Sequence, residues 1–281
     1  MTNIQSLLSE AKKELINCSV ISAEIDSEIL LSNVLKVKRD KLIINSQKTV
    51  NFQNIKKFNS FIERRKKKEP VAYILNKKDF WKNTFFVDKN VLIPRPDTEI
   101  LIEQVLKKYQ KNKKISILDV GTGSGCIIIS ILKERENFMG CAIDISKKAL
   151  NIAKYNAKIH HLENRIKFHK SSVDKFFKGK YDLIISNPPY IKKFELKYLE
   201  NDIIGFEPNL ALEGGNDGFL VTKQVIKGSS RLLKKGGSLI MEIGFDQKMG
   251  IKKILEKENF FVNKIIKDYG ENHRCVICTK L

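Results

Sequence analysis

Residues 115–125 read ISILDVGTGSG and lead directly into the apolar run CIIISIL at 126–132. The first six residues are mostly apolar, which predicts a buried β-strand. The glycines that follow allow a sharp turn and a close approach of the backbone to a ligand, and the apolar run predicts a helix whose first N–H groups are free. This strand, glycine loop and helix predict an α/β fold that binds a ligand at the carboxyl end of the strand.

The next apolar run places a carboxylate at the same edge of the sheet. MGCAI at 139–143 predicts a second strand, and Asp144 follows the glycine loop by roughly 20 residues, the spacing of an acid that binds a ribose diol. A nicotinamide dinucleotide is the obvious alternative ligand, but its G-x-G-x-x-G fingerprint is broken, because Cys126 stands where the last glycine belongs. We therefore expect a ligand with a ribose and no pyrophosphate.

A third predicted strand, YDLIIS at 181–186, ends in Asn187-Pro188-Pro189-Tyr190. Proline fixes φ and has no N–H, so the carbonyl groups here are held in place. An asparagine carboxamide beside a fixed carbonyl offers two acceptors for the two hydrogens of a planar NH2 group, and Tyr190 can lie against a planar substrate. On its own, the motif is also the pattern of a tight turn after a strand.

Three segments together carry a family resemblance: DVGTGSG at 119–125, AIDIS at 142–146 and SNPPYI at 186–191. They resemble the class I S-adenosylmethionine-dependent methyltransferases that act on nitrogen. The resemblance implies S-adenosylmethionine as the cofactor and methylation of a planar NH2 group on adenine, guanine or a glutamine side chain. It also implies a Rossmann-like sheet of seven strands with the last strand inserted antiparallel.

Other segments narrow the family. EPVAYIL at 69–75, FW at 80–81 and VLIPRPDTE at 91–99 are similar to the signature of the peptide chain release factor glutamine methyltransferases, and FEP at 206–208, GGNDG at 214–218 and EIG at 242–244 follow the same family. The resemblance covers nearly the whole chain. It implies methylation of the glutamine in the Gly-Gly-Gln motif of release factors, which are the expected protein partners.

The resemblance also implies roles for particular residues. Asn187, Pro188 and Tyr190 are expected to be catalytic, and Pro189 joins them in binding the substrate. The expected cofactor-binding residues are Gly121, Thr122, Gly123, Ser124, Gly125, Asp144, Ser172 and Asn187. The family usually has an acid and an aromatic residue beside the adenine, whereas this chain has Ser171 and Ser172 at the aligned positions. The family places Arg95 beside the cofactor and target amide, although Pro94-Arg95-Pro96 can equally be a stiff linker.

The order of elements predicts the domains. Apolar residues at helical spacing predict a helical bundle at 1–75, with Thr2-x-x-Gln5 as a capping box. An alternating pattern predicts a hairpin linker at 76–95, and alternating strands and helices predict a parallel α/β methyltransferase domain at 96–281. The bundle contains no catalytic constellation, so it is expected either to recognise the protein substrate or only to stabilise the catalytic domain.

The composition is strongly basic, with a net charge of +20 and a pI near 9.6. The excess is mostly lysine spread along the chain, which is consistent with a nucleic-acid partner but also with a coding bias. The run RRKKK at 64–68 can contact RNA or stabilise the dipole of a helix that ends there. No apolar run is long enough to span a membrane and there is no signal-peptide pattern, so we expect a cytoplasmic protein without a membrane partner. We also expect a monomer.

The five cysteines are scattered and predict no disulfide framework. CVIC at 275–278 has CxxC spacing, but in a strand residues three apart point to opposite faces, so we expect neither a metal site nor a redox role. Two other functions remain open from the sequence. One is a nucleic-acid amino-methyltransferase with the same Asn-Pro-Pro-Tyr chemistry, and the other is a non-catalytic RNA-binding protein that keeps the fold.

Overall fold

The computed structural model describes residues 2–281, which form two compact units. The first unit extends to Lys77 and includes Glu200–Phe206 from later in the chain. The second unit consists of Lys78–Leu199 and Glu207–Leu281. Within residues 2–281, no helix combines the length and the apolar character needed to cross a membrane.

The first unit is helical, as the N-terminal pattern predicted. Its core contains Leu15, Leu30, Leu31 and Phe58, whose side chains are almost completely buried. In the first helix the buried residues Ile4, Leu7, Ala11 and Leu15 recur at helical spacing, so the helix turns one apolar stripe towards this core. The helices are α1 (Ile4–Asn17), α2 (Ala23–Leu35), α3 (Arg39–Ile44), α4 (Phe52–Lys66), α5 (Val71–Ile74) and α9 (Asn201–Ile204).

The capping box of α1 lies one residue later than predicted. Asn3 is the N-cap, and its side-chain oxygen accepts the backbone N–H of Ser6 at 2.8 Å. The Ser6 hydroxyl oxygen in turn accepts the backbone N–H of Asn3 at 3.2 Å. The predicted pair of Thr2 and Gln5 was therefore wrong. Asparagine caps a helix at least as well as threonine, and the neighbouring pair completes both bonds.

The basic run at 64–68 is largely used inside the first unit. The side chain of Arg65 is only 6% exposed, and it forms ion pairs with Asp26 and Asp202, each at 2.7 Å. Arg64 pairs with Glu69 at 2.5 Å. A buried charge that loses its partner is strongly destabilising, so these pairs favour a structural role for Arg65 over contact with RNA.

The second unit is built on a seven-stranded sheet with the strand order β5-β4-β3-β6-β7-β9-β8. The first five strands in this order are parallel, and β9 is inserted antiparallel between β7 and β8. This confirms the predicted class I methyltransferase sheet. The strands are β3 (Ile115–Val120), β4 (Phe138–Asp144), β5 (Ile166–Lys170), β6 (Tyr181–Ser186), β7 (Leu233–Glu242), β8 (Phe260–Lys267) and β9 (His273–Lys280).

Apolar cores cover both faces of this sheet. In β6, Leu183 and Ile185 belong to one core cluster and Ile184 to another, because successive side chains of a strand point to opposite faces. Cys275 and Cys278 of β9 are divided between the same two clusters, as the alternation predicted. The helices of this unit are α6 (Glu99–Lys108), α7 (Cys126–Glu134), α8 (Lys147–Ile159), α10 (Leu220–Leu232) and α11 (Lys248–Lys257).

A short hairpin opens the second unit. Strands β1 (Lys78–Phe80) and β2 (Asn83–Phe85) pair antiparallel, and Phe80 and Phe85 are buried in the first of the two cores. The Trp81 backbone N–H donates to Glu99 at 2.7 Å, and its indole N–H donates to Glu134 at 2.9 Å. The hairpin is therefore an integral part of the second unit and not a free connection.

Candidate active site

The strand register aligns four chemically distinct residues at the carboxyl edge of the sheet. Val120 pairs with Ile143 of β4 and Ser186 of β6, and Ser186 pairs with Met241 of β7. The residue that follows each of these positions therefore lies at the same level of the edge. These residues are Gly121, Asp144, Asn187 and Glu242.

The glycine loop after β3 leaves open space above the edge. Gly121 and Gly123 have φ values of +72° and +55°, which favour glycine, and a β-carbon at either position would meet no atom within 4 Å. The Gly123 N–H donates to the Asp144 carboxylate at 3.0 Å. The Ser146 N–H at the start of α8 donates to the other Asp144 oxygen at 2.8 Å. The loop and Asp144 are thus fixed to each other beside an open space.

Two acidic groups at this part of the edge retain acceptor capacity. Asp119 is fully buried; its Oδ2 accepts the Thr122 hydroxyl at 2.7 Å, while its Oδ1 has no hydrogen-bond partner among residues 2–281. Burial raises the pKa of Asp119 to about 7, and burial also raises the pKa of Asp144. Unpaired acceptors are rare in protein interiors, so a ligand that brings hydroxyl or ammonium donors fits this space.

The other residues predicted to bind the cofactor, Ser124, Gly125 and Ser172, lie around the glycine loop and Asp144. Asn156 donates its side-chain N–H to the Ser124 carbonyl at 2.8 Å, which anchors the glycine loop to α8. Gly125 packs against Ala153 of α8. Ser171 and Ser172 follow β5, and the Ser171 N–H donates to the Asp144 carbonyl at 3.0 Å. Ser172 therefore follows the strand that pairs with β4, the strand that ends in Asp144.

The Asn187 carboxamide has a defined orientation. Its Nδ2 group donates to the hydroxyl oxygen of Thr98 at 3.1 Å. Its Oδ1 atom has no donor among residues 2–281, and the residue is only partly buried. The adjoining Pro188 is buried, and Pro189 contributes no N–H to the turn. Asn187 Oδ1 is therefore available as an acceptor.

A buried glutamate lies behind this turn. The Glu242 side chain, at the end of β7, accepts the Thr98 hydroxyl at 2.6 Å and the Tyr190 hydroxyl at 3.1 Å. Glu242 is only 2% exposed, and this burial raises its pKa to about 7 although Thr98 and Arg274 oppose the rise. Burial also raises the pKa of Tyr190, so its hydroxyl stays protonated and donates.

Sequence reasoning missed Glu242 and Thr98. Both lie within segments quoted for the family resemblance, but neither has a spacing that marks it as part of a site. The available signal was topological: Glu242 ends the strand beside the one that carries Asn187. Ligands of parallel sheets bind at the carboxyl ends of neighbouring strands, so the end of β7 was a candidate position for a site residue.

The GGNDG segment packs directly against the turn. A β-carbon at Gly214 would lie 2.8 Å from the Tyr190 Cα and 2.9 Å from the Pro189 carbonyl oxygen. One at Gly218 would lie 2.6 Å from the Tyr190 carbonyl oxygen. The Gly214 N–H also donates to the Ile191 carbonyl at 2.8 Å. The two glycines therefore allow a close backbone contact that supports the turn.

Arg95 is paired within the same unit. Its guanidinium contacts the Glu207 carboxylate at 2.5 Å, and the other oxygen of Glu207 accepts the Ile93 N–H at 3.0 Å. The Glu207 side chain is only 1% exposed. This connects the two predicted signatures PRP and FEP, and it gives Arg95 a structural partner that the sequence did not reveal.

The cysteine pair in β9 has no catalytic surroundings. Cys275 and Cys278 are buried, and burial raises the pKa of the Cys278 thiol to about 12, so that thiol stays protonated. Among residues 2–281, no group of three or more histidine, cysteine or acidic side chains is arranged to hold a metal ion.

Comparison with known proteins places this arrangement in context. Residues 96–215 match the model of the methyltransferase small domain, and residues 6–75 match that of the PrmC N-terminal domain. The chain is 40% identical to a release factor glutamine methyltransferase of Buchnera aphidicola subsp. Schizaphis graminum, covering 97% of each chain. It is 39% identical to a release factor glutamine methyltransferase of Clostridium acetobutylicum, covering 91% of this chain and 90% of the other.

A solved structure supports the fold. The structure of a methyltransferase from Pyrococcus furiosus superposes on this chain with a TM-score of 0.53 at 19% identity, covering 70% of this chain and 88% of the other. At this level of identity the likeness concerns the fold alone.

Proposed function

The chain belongs to the release factor glutamine methyltransferase family, and from this premise we propose that it methylates the side-chain amide nitrogen of a glutamine in peptide chain release factors. The target is the glutamine of their Gly-Gly-Gln motif, and the methyl donor is S-adenosylmethionine. The observation that supports this chemistry most directly is the outward acceptor atom of Asn187 at the sheet edge. The reaction takes place in the cytoplasm, where release factors act on ribosomes.

The cofactor fits the groups beside the glycine loop. Gly121 and Gly123 face open space beside Asp144, and Asp119 offers a buried acceptor without a partner among residues 2–281. Asp144 would accept the ribose hydroxyls, and Ser172 would add a polar contact from the neighbouring strand. When bound, S-adenosylmethionine supplies an electrophilic methyl group on a positively charged sulfur.

The Asn187 turn would bind the target amide. An amide nitrogen is a poor nucleophile because its lone pair is delocalised into the carbonyl group. Asn187 Oδ1 and the Pro188 carbonyl would accept its two N–H bonds, which favours a pyramidal nitrogen and leaves the lone pair for the methyl group. Tyr190 would pack on the glutamine side chain, and Pro189 would keep the turn rigid.

This scheme requires no strong base at the edge of the sheet. Asn187 cannot act as one, and the amide proton can leave during or after methyl transfer. Much of the acceleration would come from alignment, since well-oriented groups can reach effective molarities of about 10⁵ M or more. The fixed orientation of Asn187 supports such a mechanism.

The helical unit has a separate proposed task. It includes none of the groups at the sheet edge, and its buried arginine pairs serve its own packing. The chain nevertheless matches the family over this region as well as over the sheet. We assign it to recognition of the release factor, while the second unit carries the chemistry.

The test is transfer of a labelled methyl group from S-adenosylmethionine to purified release factor. A release factor whose Gly-Gly-Gln glutamine is changed to alanine serves as the matched control, and total RNA and DNA are assayed beside it. We expect label on the intact factor alone. Label on nucleic acid alone would overturn the proposed substrate and favour an amino-methyltransferase that acts on bases.

A further inference from the structure

The Thr98 hydroxyl forms hydrogen bonds with both the Glu242 carboxylate and the Asn187 carboxamide. Thr98 lies 2.6 Å from Glu242 Oε2 and 3.1 Å from Asn187 Nδ2. A hydroxyl has one proton to donate and two lone pairs that accept. An ionised carboxylate only accepts, so in the ionised form of Glu242 the Thr98 hydroxyl gives its single proton to Glu242. Its oxygen can then only accept from Asn187.

This proton arrangement distinguishes the two ends of the Asn187 carboxamide. The NH2 end can donate to Thr98, whereas the oxygen end would face a hydroxyl with no proton left for it. A flipped amide would therefore lose its bond to Thr98 and would present NH2 to the substrate. Thr98 is 3% exposed and Glu242 is 2% exposed, so water does not readily replace either partner.

We propose that Thr98 and Glu242 are positioning residues that orient the Asn187 carboxamide, so that its oxygen and not its NH2 group meets the substrate amide. The proposal rests on the proposed function, because it assigns Asn187 an acceptor role towards an NH2 group. It adds a reason for that role: the carboxylate fixes the direction of the hydroxyl, and the hydroxyl fixes the direction of the amide.

The same carboxylate fixes the other end of the turn. The Tyr190 hydroxyl donates to Glu242 Oε1 at 3.1 Å and lies 3.4 Å from the guanidinium of Arg274. Arg274 only donates, so it leaves the Tyr190 proton directed at Glu242. Glu242 therefore supports both ends of the turn. It accepts the Tyr190 hydroxyl directly, and it supports Asn187 through the Thr98 hydroxyl.

The test is a double-mutant cycle on kcat for methyl transfer to the release factor. Thr98→Val removes the hydroxyl at almost constant volume and should lower kcat about 10- to 100-fold, the scale of a small misplacement of a catalytic group. Thr98→Ser keeps the hydroxyl and should stay within about threefold of wild type. In the Asn187→Ala background, Thr98→Val should have almost no further effect, because Thr98 acts through Asn187.

The matched control is Thr222→Val. Thr222 is another buried threonine of the second unit, but its hydroxyl has no hydrogen-bond partner among residues 2–281. This variant should keep wild-type kcat. Cofactor affinity, measured by titration calorimetry, should be unchanged in all the threonine variants. If Thr98→Val does not fold, Thr98→Ala replaces it in the same cycle, because it removes the hydroxyl without adding a methyl group.

The outcomes separate the positioning role from the proposed function. Wild-type kcat in Thr98→Val, or a multiplicative loss in the double variant, would overturn the positioning role while leaving the function intact. A wild-type protein that labels no release factor would overturn the function. In that case the orientation is read from the side-chain amide protons of Asn187 by NMR: loss of their hydrogen-bonded shift in Thr98→Val supports the orientation, and an unchanged spectrum overturns it.

Discussion

The two halves of the sheet edge are built in different ways. The glycine-loop side consists of residues 119–125 and 144–146, and its hydrogen bonds join residues 3, 21 and 2 positions apart in the chain. The amide side consists of residues 187–190 with their supports. Its hydrogen bonds join Asn187 to Thr98 across 89 positions, Tyr190 to Glu242 across 52, and Thr98 to Glu242 across 144.

This difference separates binding from orientation. The glycine-loop side needs a backbone shape and one carboxylate, which a single strand-loop-helix unit and the next strand provide. The amide side needs one oxygen atom at one place, and this depends on three distant parts of the second unit: residues 187–190, Thr98 and Glu242. Changes on the amide side should therefore affect turnover, and changes on the glycine-loop side should affect cofactor affinity.

The largest effect is expected from Asn187→Ala. It removes the acceptor atom and should lower kcat by roughly 10² to 10³, by analogy with the loss of one positioned polar group in other active sites. Cofactor affinity should be largely retained, because the glycine-loop side is untouched. Single-turnover methyl transfer and titration calorimetry measure the two quantities. Unchanged turnover would remove Asn187 from the mechanism.

The support of the turn is tested by Gly218→Ala. The new β-carbon would lie 2.6 Å from the Tyr190 carbonyl oxygen, so the turn must move, and we expect kcat to fall by about 10²-fold. Gly236→Ala is a matched control, because Gly236 has a φ of +74° against +75° at Gly218, yet its β-carbon would meet no atom within 4 Å.

Gly236→Ala should lose about 1 kcal/mol of unfolding free energy, because a residue with a β-carbon is strained at positive φ. Gly218→Ala should lose more, because its β-carbon must also displace the Tyr190 carbonyl. Only Gly218→Ala should lose activity. Equal activity in the two variants would show that the close contact with Tyr190 does not matter, and that the amide side tolerates displacement as well as the glycine-loop side does.

The same contrast explains what could be predicted from the sequence. β3 and β6 occupy the residues predicted for them, because a short apolar run is a local property of the sequence. The residues that bind Asn187 and Tyr190 could not be predicted in this way. Thr98 and Glu242 acquire their meaning only when the register brings their elements together, since neither is unusual in its own segment.

A local pattern can also place a feature one residue away from its true position. The capping box of α1 was placed at Thr2 instead of Asn3, because two neighbouring pairs of polar residues fit the same rule. The basic run at 64–68 shows the reverse problem. Its charges suggested contact with RNA or stabilisation of a helix dipole. The partners of Arg65 are instead Asp26 and Asp202, which lie far away in the sequence.

On the glycine-loop side, Asp144→Ala should weaken cofactor binding about 10- to 100-fold, since a hydrogen bond to a charged group contributes about 1.5–3 kcal/mol. Turnover at saturating cofactor should change much less. Ser172→Ala is the graded comparison, and it should weaken binding only a few-fold, because a neutral hydrogen bond contributes about 0.5–1.5 kcal/mol. Wild-type affinity of Asp144→Ala in titration calorimetry would contradict the proposed ribose contact.

The smallest effect expected is a pH dependence of stability from Glu242. Burial raises its pKa from 4.5 to about 7, although Thr98, Arg274 and Tyr190 oppose this rise and Asp97 adds to it. Between these pH values the folded state binds more protons than the unfolded state, so Glu242 makes the protein less stable as pH rises. Glu242→Gln cannot ionise and is free of this penalty.

The stability gain of Glu242→Gln over wild type should therefore be larger at pH 8 than at pH 6, by about 1 kcal/mol. Urea unfolding of both proteins at the two pH values measures it, and the pKa of Asp119 cancels because both proteins contain that residue. The variant should be less active at both pH values, since a glutamine cannot accept from Thr98 and Tyr190 at once. A gain that is equal at both pH values would mean that Glu242 is already ionised in the folded protein at pH 6, so that its pKa is not raised as expected. A difference well above about 1 kcal/mol would mean that Glu242 stays neutral up to pH 8, and the amide side would then lack the carboxylate that orients Asn187.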